Sequence, residues 1–526
     1  MKKIPSDPDC GEDTMTAKKI NNPKILLVNP PFYRFITFSY AYNPLGNRYI
    51  AAMLRKHEYE TYVYNFDFPE KISPKEPDWL PYNENYGQEY KRDMENPDHP
   101  IWKEIEATLQ KIKPDILGVS TMTPQMETAI HTARLAKRIN PDCVVVFGGI
   151  HPTALPFDTL KYPEVDIICV GEGEITMLEL VRTLEKGGDL REVEGIAFTN
   201  KDGIYQETNR RALIKDLDSI PYPIRDFPTE AEREFMLHRG SILTSRGCPY
   251  QCTFCARKPI WGKTIRYRSA ESVVDELDYL YHDLGIKTVM FEDDTLALRF
   301  QRMKEIFGLM DKRNIKINYT IQTKVHVVKP ELLDLLKASG CTNIAIGVES
   351  GSQYTLDRIK KKITLDQVRN AVELCKQYDI MCNSFFIVGY PWETKEMVEE
   401  TFNFMKEIDS SVVHLYMLIP LPGTDLYDDA LKEGRILAKD WFYYYFQNPN
   451  AMTRDHYSNE WLYDKYLEMK EYIHQSRRAK IKKDSRNIKY ILNKVKDNID
   501  SPKRLWYMGK RFIKLQMTSF DQEKKD

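Results

Sequence analysis

The 526 residues carry 76 Lys and Arg against 77 Asp and Glu, a net charge of −1, and 42% of them are hydrophobic. That much apolar material builds large cores and excludes a disordered chain, and the near-neutral balance argues against a polyanion as partner of the whole chain. The polar start, residues 1–19, has no apolar signal-peptide core, and no run approaches the roughly 20 apolar residues of a membrane-spanning helix. Of nine cysteines, Cys10, Cys143, Cys169, Cys341, Cys375 and Cys382 stand singly, which is no disulfide framework. A cytoplasmic protein is expected.

Residues 1–22 read as a fraying tail and 23–190 as one domain. KILLVNPPF (24–32) is an apolar strand ending in a Pro-Pro loop, PLGNRYIAAMLRKH a helix, and ETYVYNF a strand. Residues 69–100 lack periodicity and read as an irregular insertion. PDILGVST, CVVVFGG and VDIICVGEGE are further buried strands, and METAIHTARLAKRI and TMLELVRTLEKGG are amphipathic helices. Short Val- and Ile-rich strands alternating with helices predict a doubly wound, Rossmann-like parallel sheet. Ligands of such sheets lie beyond the carboxyl ends of the strands, which here are NPP, GVST, GGIHPT and GEGE. The plain alternative is a set of tight strand-to-helix turns.

Residues 191–236 read as a linker with a small hairpin turned by the Asp-Gly of KDG. From 237 to 430 a second series begins. Strands are expected at GSILTSRGCP, KTVMFEDD, INYTIQTK, TNIAIGVES, MCNSFFIVG and VVHLYMLIP, with helices between them. Six such units predict a partial (β/α)6 barrel with its site at the carboxyl ends of the strands. Residues 431–526 read as helical. There WFYYYF is an aromatic block, and 476–515 hold 14 Lys and Arg against three acids.

The first barrel strand runs into Cys248, Cys252 and Cys255, spaced C-x3-C-x2-C. A structural zinc site wants four ligands, and only His238 stands near as a fourth. One disulfide with a spare thiol is a second option. A [4Fe–4S] cluster held by three thiolates is the third, and it leaves one iron open to a substrate or cofactor.

The stretch TSRGCPYQCTFC resembles the cluster loop of the radical S-adenosylmethionine (SAM) enzymes, and the resemblance covers about residues 240–430. VMFEDDT, AIGVESGS, FFIVGYPWET and LIPLPGTDLY are similar, in order, to motifs on that family's later strands. Residues 24–190, through GVSTMTPQ, GGIHPTALP and VDIICVGEGE, resemble the cobalamin-binding domain fused to the barrel in one subclass. The D-x-H-x-x-G motif of classical cobalamin domains is absent, which puts a histidine-ligated cobalt in doubt. Tyr390 and Trp392 stand where smaller residues are commoner.

This resemblance implies that Cys248, Cys252 and Cys255 hold a [4Fe–4S] cluster whose open iron takes SAM. It implies SAM contacts from Phe254, Asp293, Asp294, Lys324, Glu349, Gly389 and Pro420. Asp293 and Asp294 would meet the ammonium, Glu349 the ribose or ammonium, and Lys324 the carboxylate. Asn29, Ser120, Thr121, Gly148, Gly149, His151, Gly171 and Glu172 would line a cobalamin pocket. The bland readings beside these are a solvated acidic loop, a helix cap and a structural histidine. The activity implied is cleavage of SAM to a 5′-deoxyadenosyl radical, with cobalamin, to modify an unactivated carbon. C-methylation leads. Cyclisation or rearrangement with a domain that does not bind cobalamin is the alternative, and a metal-stabilised scaffold without turnover comes last. Expected partners are a small or lipid-like substrate and a one-electron donor such as a flavodoxin or ferredoxin. The basic C-terminus suggests peripheral membrane contact, with a solvated helix face as the plain reading, and no nucleic acid is expected.

Overall fold

The computed structural model describes residues 18–36, 43–69, 85–445 and 448–485. Residues 18–463 of these belong to one compact body, and a second unit begins at Asp464.

The first sheet is built from β1 (Ile25–Asn29), β2 (Thr61–Asn65), β3 (Ile116–Ser120), β4 (Val144–Gly148) and β5 (Ile167–Cys169), all parallel. β6 (Ile196–Thr199) and β7 (Tyr205–Glu207) complete it, in the order β2-β1-β3-β4-β5-β6-β7. Every residue of β1 is buried, because each face packs its own core. Leu26 and Val28 join Leu117, Phe147 and Trp102 on one side, while Ile25 and Leu27 join Ile116, Val146 and Leu180 on the other. That is why the strand reads as an unbroken apolar run rather than an alternation. Two expectations change here. The hairpin β6–β7, read as part of a linker, pairs antiparallel with β5 and forms the edge of this sheet. The stretch 69–100, read as irregular, contains the helix Asn85–Glu95 and the start of the helix Pro100–Ile112.

Short strands β9 (Ser245–Arg246) and β10 (Arg266–Tyr267) pair with each other. The second sheet is the expected half barrel. β8 (Gly240–Ile242), β11 (Thr288–Phe291), β12 (Asn318–Thr323), β13 (Cys341–Glu349), β14 (Met381–Val388) and β15 (Val412–Met417) lie side by side and parallel. Helices cover its outer face. The helix Phe300–Lys312 buries Met303, Ile306, Phe307 and Met310, one stripe at helical spacing, and Phe307 stacks on Tyr319 of β12.

Beyond the barrel the aromatic block lies in a strap, and the block's helical part is one short 3-10 turn, Trp441–Tyr443. Its base is closed by Leu437 N donating to Ala451 O at 3.1 Å and Thr453 N to Arg435 O at 2.8 Å. Its tip crosses to the first sheet, where Phe442 stacks on Tyr90 at 3.9 Å and Trp441 meets the edge of His151 at 4.5 Å. The helix Asn459–Ser485 follows. No described helix is long and apolar enough to cross a membrane. Most of the basic stretch 476–515 lies outside the described residues, as does most of the 1–22 tail.

Phe442→Ala would remove a buried ring and leave Tyr90 facing a void, a loss of about 3–5 kcal/mol. The expected outcome is a lowered first transition in thermal unfolding, with iron binding retained.

Candidate cofactor site at the ends of two sheets

The cluster loop leaves β9 through Gly247, whose φ is +91°. A Cβ there would lie 2.2 Å from Thr264 O, so only glycine fits the turn. Cys248, Cys252 and Cys255 follow as free, half-buried thiols. The loop is held from outside by Thr253 N donating to Ile359 O at 3.1 Å and from within by Cys255 N donating to Cys252 O at 3.2 Å. Burial pushes the Cys248 thiol up, while Lys324 works the other way.

Two buried lysines flank this loop. Lys324 Nζ donates to Lys361 O at 2.8 Å, stands 3.9 Å from Cys252 Sγ and lies 3.9 Å from the centre of the Tyr250 ring. Lys361 is ion-paired with Glu349. Glu349 ends β13 with φ +71°, a strained setting for a residue with a side chain. Phe254 lies between, with its ring 6.5 Å from that of Tyr390 and 6.0 Å from Lys361 Nζ. Sequence reasoning assigned a SAM carboxylate to Lys324 and passed over Lys361. Nothing in DRIKKKIT singles out one lysine of three, and only the chain's return past the cluster loop does.

The acids after β11 divide their work. Asp293 is fully buried and accepts from Thr244 N at 3.0 Å, from Thr244 Oγ1 at 2.8 Å and from Ser245 Oγ. Its carboxylate therefore anchors the strand that leads into the cluster loop. Asp294 is buried and ion-paired with Arg257, two residues after Cys255. Gly389, with φ +92°, gives its carbonyl to Arg454 Nε at 3.0 Å, and its N–H donates to Glu393 at 2.8 Å. Pro420 is buried just beyond β15.

At the first sheet the loops after β1, β3, β4 and β5 are stitched together. Asn29 donates to Asn65 Oδ1 at 2.8 Å and accepts from Gln125 Nε2 at 3.2 Å. Thr121 N donates to Gly148 O at 2.9 Å, beyond Ser120 at the end of β3. A Cβ on Gly149 would lie 2.7 Å from Thr121 O. Gly171 N donates to Thr153 Oγ1 at 3.1 Å. His151 is 1% exposed, with Nδ1 3.2 Å from Thr123 Oγ1 and Nε2 without a partner among the described residues. Burial drives its pKa down to about 3, so the ring is neutral.

Glu172 faces elsewhere. Its two oxygens take Arg246 Nη1 at 2.9 Å, Arg266 Nη1 at 2.7 Å and Ile214 N at 2.9 Å. Arg246 Nη2 donates to Glu174 Oε1 at 2.5 Å. These links join the loop after β5 to the strand that carries the cysteines.

The donor set fits the groups that the sequence motifs imply. Among the described residues no three His, Cys, Asp or Glu side chains converge as ligands of a single ion do. A cubane takes each thiolate on a different iron, so three spaced thiols on one loop suit a cluster. Asp294, Glu349 and Lys361 offer two anions and a cation around the same loop, the complement of a zwitterionic amino acid. The unpartnered Nε2 of His151 and the close backbones at Gly149 suit a polar ligand at the end of the first sheet.

A doubly wound sheet fused to a half barrel with a three-cysteine loop defines a two-cofactor radical enzyme architecture. The family model of the radical SAM superfamily matches residues 242–405, and that of the B12 binding domain matches residues 34–181. An uncharacterised methyltransferase of Pyrococcus horikoshii is 34% identical over 361 residues, 68% of this chain and 78% of that protein. The anaerobic magnesium-protoporphyrin IX monomethyl ester cyclase of Rubrivivax gelatinosus is 31% identical over 365 residues, 67% of this chain and 65% of that one. Among solved structures, the radical SAM methyltransferase TsrM of Kitasatospora setae, with cobalamin and a [4Fe–4S] cluster bound, matches at TM-score 0.62. It is 20% identical and covers 79% of this chain and 75% of its own. The chain belongs to the cobalamin-binding radical SAM enzymes.

Two outcomes follow from the geometry. Cys252→Ala should abolish iron retention after anaerobic reconstitution while leaving the far-ultraviolet circular dichroism unchanged. His151 has a folded pKa of about 3 against an ordinary value of 6.5, so the unfolded chain binds the extra proton between those values. Its contribution to stability is complete above about pH 6.5 and is lost as pH falls, at up to ~1.4 kcal/mol per pH unit. The unfolding midpoint of His151→Gln should therefore vary less than that of the parent between pH 6.5 and 4.

Proposed function

We propose that this chain methylates an unactivated carbon of a small molecule, using a [4Fe–4S] cluster, SAM and cobalamin. The observation that carries the reading is the junction of the two sites. The strand that leads into the cluster loop is ion-paired to the loop and helix start that follow β5 of the cobalamin-type sheet, which supports a reading in which the two cofactor sites adjoin. The methyltransferase relative at 34% identity supports the same reaction class.

When bound, these groups supply one-electron cleavage of the SAM sulfonium, hydrogen abstraction by the resulting 5′-deoxyadenosyl radical, and a methyl group for the substrate carbon; such a C–H bond is beyond side-chain acid–base chemistry. The chain's own residues bind and orient. Cys248, Cys252 and Cys255 hold the cluster. Asp294 accepts from the SAM ammonium, and Glu349 from the ammonium or ribose. Lys361 faces the SAM carboxylate in place of Lys324, whose ammonium is held by a backbone carbonyl and the cluster loop. Phe254, Gly389 and Pro420 border the nucleoside. Asn29, Ser120, Thr121, Gly148, Gly149, His151 and Gly171 cradle cobalamin, with neutral His151 offering Nε2 as a hydrogen-bonding atom. Glu172 shapes this pocket from behind through its arginines. A reduced flavodoxin or ferredoxin supplies the electron.

The test is protein purified and reconstituted without oxygen. About four irons and one cobalamin per chain are expected, with 5′-deoxyadenosine formed after reduction and label from methyl-deuterated SAM found in a small-molecule product. Iron and SAM cleavage without bound cobalamin would overturn the methylation reading. An unlabelled cyclised or rearranged product would replace it with the chemistry of the cyclase relative.

Lys361→Met should weaken SAM binding about tenfold or more, the size of a lost charge-assisted hydrogen bond. Binding of 5′-methylthioadenosine, which lacks the amino-acid end, should change little. Equilibrium dialysis measures both.

A further inference from the structure

We propose that Arg246 is the positioning residue that sets the distance between the two cofactor sites. This rests on the reading that both cofactors bind. Arg246 stands on β9 two residues before Cys248; its partner Glu172 directly follows Gly171 on the loop that leaves β5, and Glu174 stands in the first turn of the helix Gly173–Lys186. The guanidinium spans the two carboxylates, with Nη1 on Glu172 at 2.9 Å and Nη2 on Glu174 at 2.5 Å, while the Tyr49 ring lies 5.2 Å from its carbon. Burial works against this charge, but the two glutamates outweigh it and hold the guanidinium above its ordinary pKa.

The clamp orients as well as tethers. Glu172 is gripped from a second direction by Arg266 of β10, whose Nη1 also donates to Ile214 O at 2.6 Å. Little slack separates the clamp from either site. Gly247 connects Arg246 to Cys248 in a turn with no room for a side chain, and Gly171 precedes Glu172 with φ +88°. Buried ion pairs add little stability over apolar packing of equal volume. What a planar fork between two fixed carboxylates supplies is a defined geometry. A radical and a methyl source must both reach one carbon, and a misplacement of about 1 Å costs on the order of a hundredfold in rate.

The experiment uses the full chain reconstituted with cluster and cobalamin. Arg246→Met combined with Glu174→Gln removes one charge of each sign and leaves the Glu172–Arg266 pair intact. Arg246→Lys keeps the charge without the fork. Iron and cobalamin contents are expected to match the parent. The dipolar splitting between the reduced cluster and cob(II)alamin in electron paramagnetic resonance should be sharp in the parent, broadened in Arg246→Lys and broadest in the double variant. Amide exchange at residues 247–252 should rise about tenfold or more in the double variant. Parent-like splitting and exchange in either variant would overturn the proposal. If the parent binds no cobalamin, the functional reading fails, and exchange alone decides the clamp: a parent-like rate rejects it and a raised rate upholds it. If the double variant does not fold, Arg246→Lys decides by the same two measures.

Discussion

Charge carried into a dry seam is the constraint on which the body up to Tyr463 depends. The first sheet meets the half barrel through buried arginines and glutamates as well as through apolar packing at Leu243 and Trp261. Arg48 and Glu232 are paired at 2.5 Å with neither side chain exposed. On the barrel side alone, Glu276 is gripped by Arg268 and by Arg225 of the connecting segment, each at 2.5 Å. Glu172 and Glu174 hold Arg246, and Glu172 also holds Arg266. Removing one member of such a set strands a charge and costs about 3–5 kcal/mol. The two sheets therefore fit in one way or badly, whereas apolar surfaces tolerate sliding.

The two sites inherit their precision from that seam. On the barrel side, Asp293 locks the strand before the cysteines and Lys324 leans on the loop that holds them. On the other side, backbone hydrogen bonds between Thr121 and Gly148 and the contact at Gly149 fix the ends of β3 and β4. Loops that bind ligands are usually the soft part of an α/β protein. Here they are tied to strands, to each other and across the seam.

The architecture was legible in the sequence because β1 and its parallel neighbours are buried enough to stand out as short apolar runs, and because the barrel strands, which alternate buried with half-buried residues at β12 and β14, recur between helical stripes. The cysteine loop was legible because its three ligands are adjacent in the chain. What escaped depends on side chains meeting across long separations. Glu172 looks like part of a pocket in GEGE, yet its oxygens meet Arg246 and Arg266, 74 and 94 residues away. Asp293 and Asp294 look equivalent in EDDT, but one anchors a strand and the other meets Arg257. The aromatic block at 441–445 looks helical because it lacks glycine and proline, and only its stacking on Tyr90 reveals a strap.

The C-terminal foot of that strap is fastened to the barrel, and the N-terminal foot is fastened to the C-terminal one through Leu437 to Ala451 and Thr453 to Arg435. Arg454 donates to the carbonyls of Gly389, Pro449 and Met452, and Asp455 N donates to Pro391 O at 2.9 Å. The tip meets the first domain through the rings of Phe442 and Trp441 and through a hydrogen bond from Phe442 N to the Glu127 carboxylate. The fastened base separates two effects: a change at the tip, where Phe442 is part of the first domain's core, acts on that domain and not on the turn at Gly389. A side chain altered at the tip would be felt first by Tyr90 and by His151 at the end of the first sheet, and last by the cysteines.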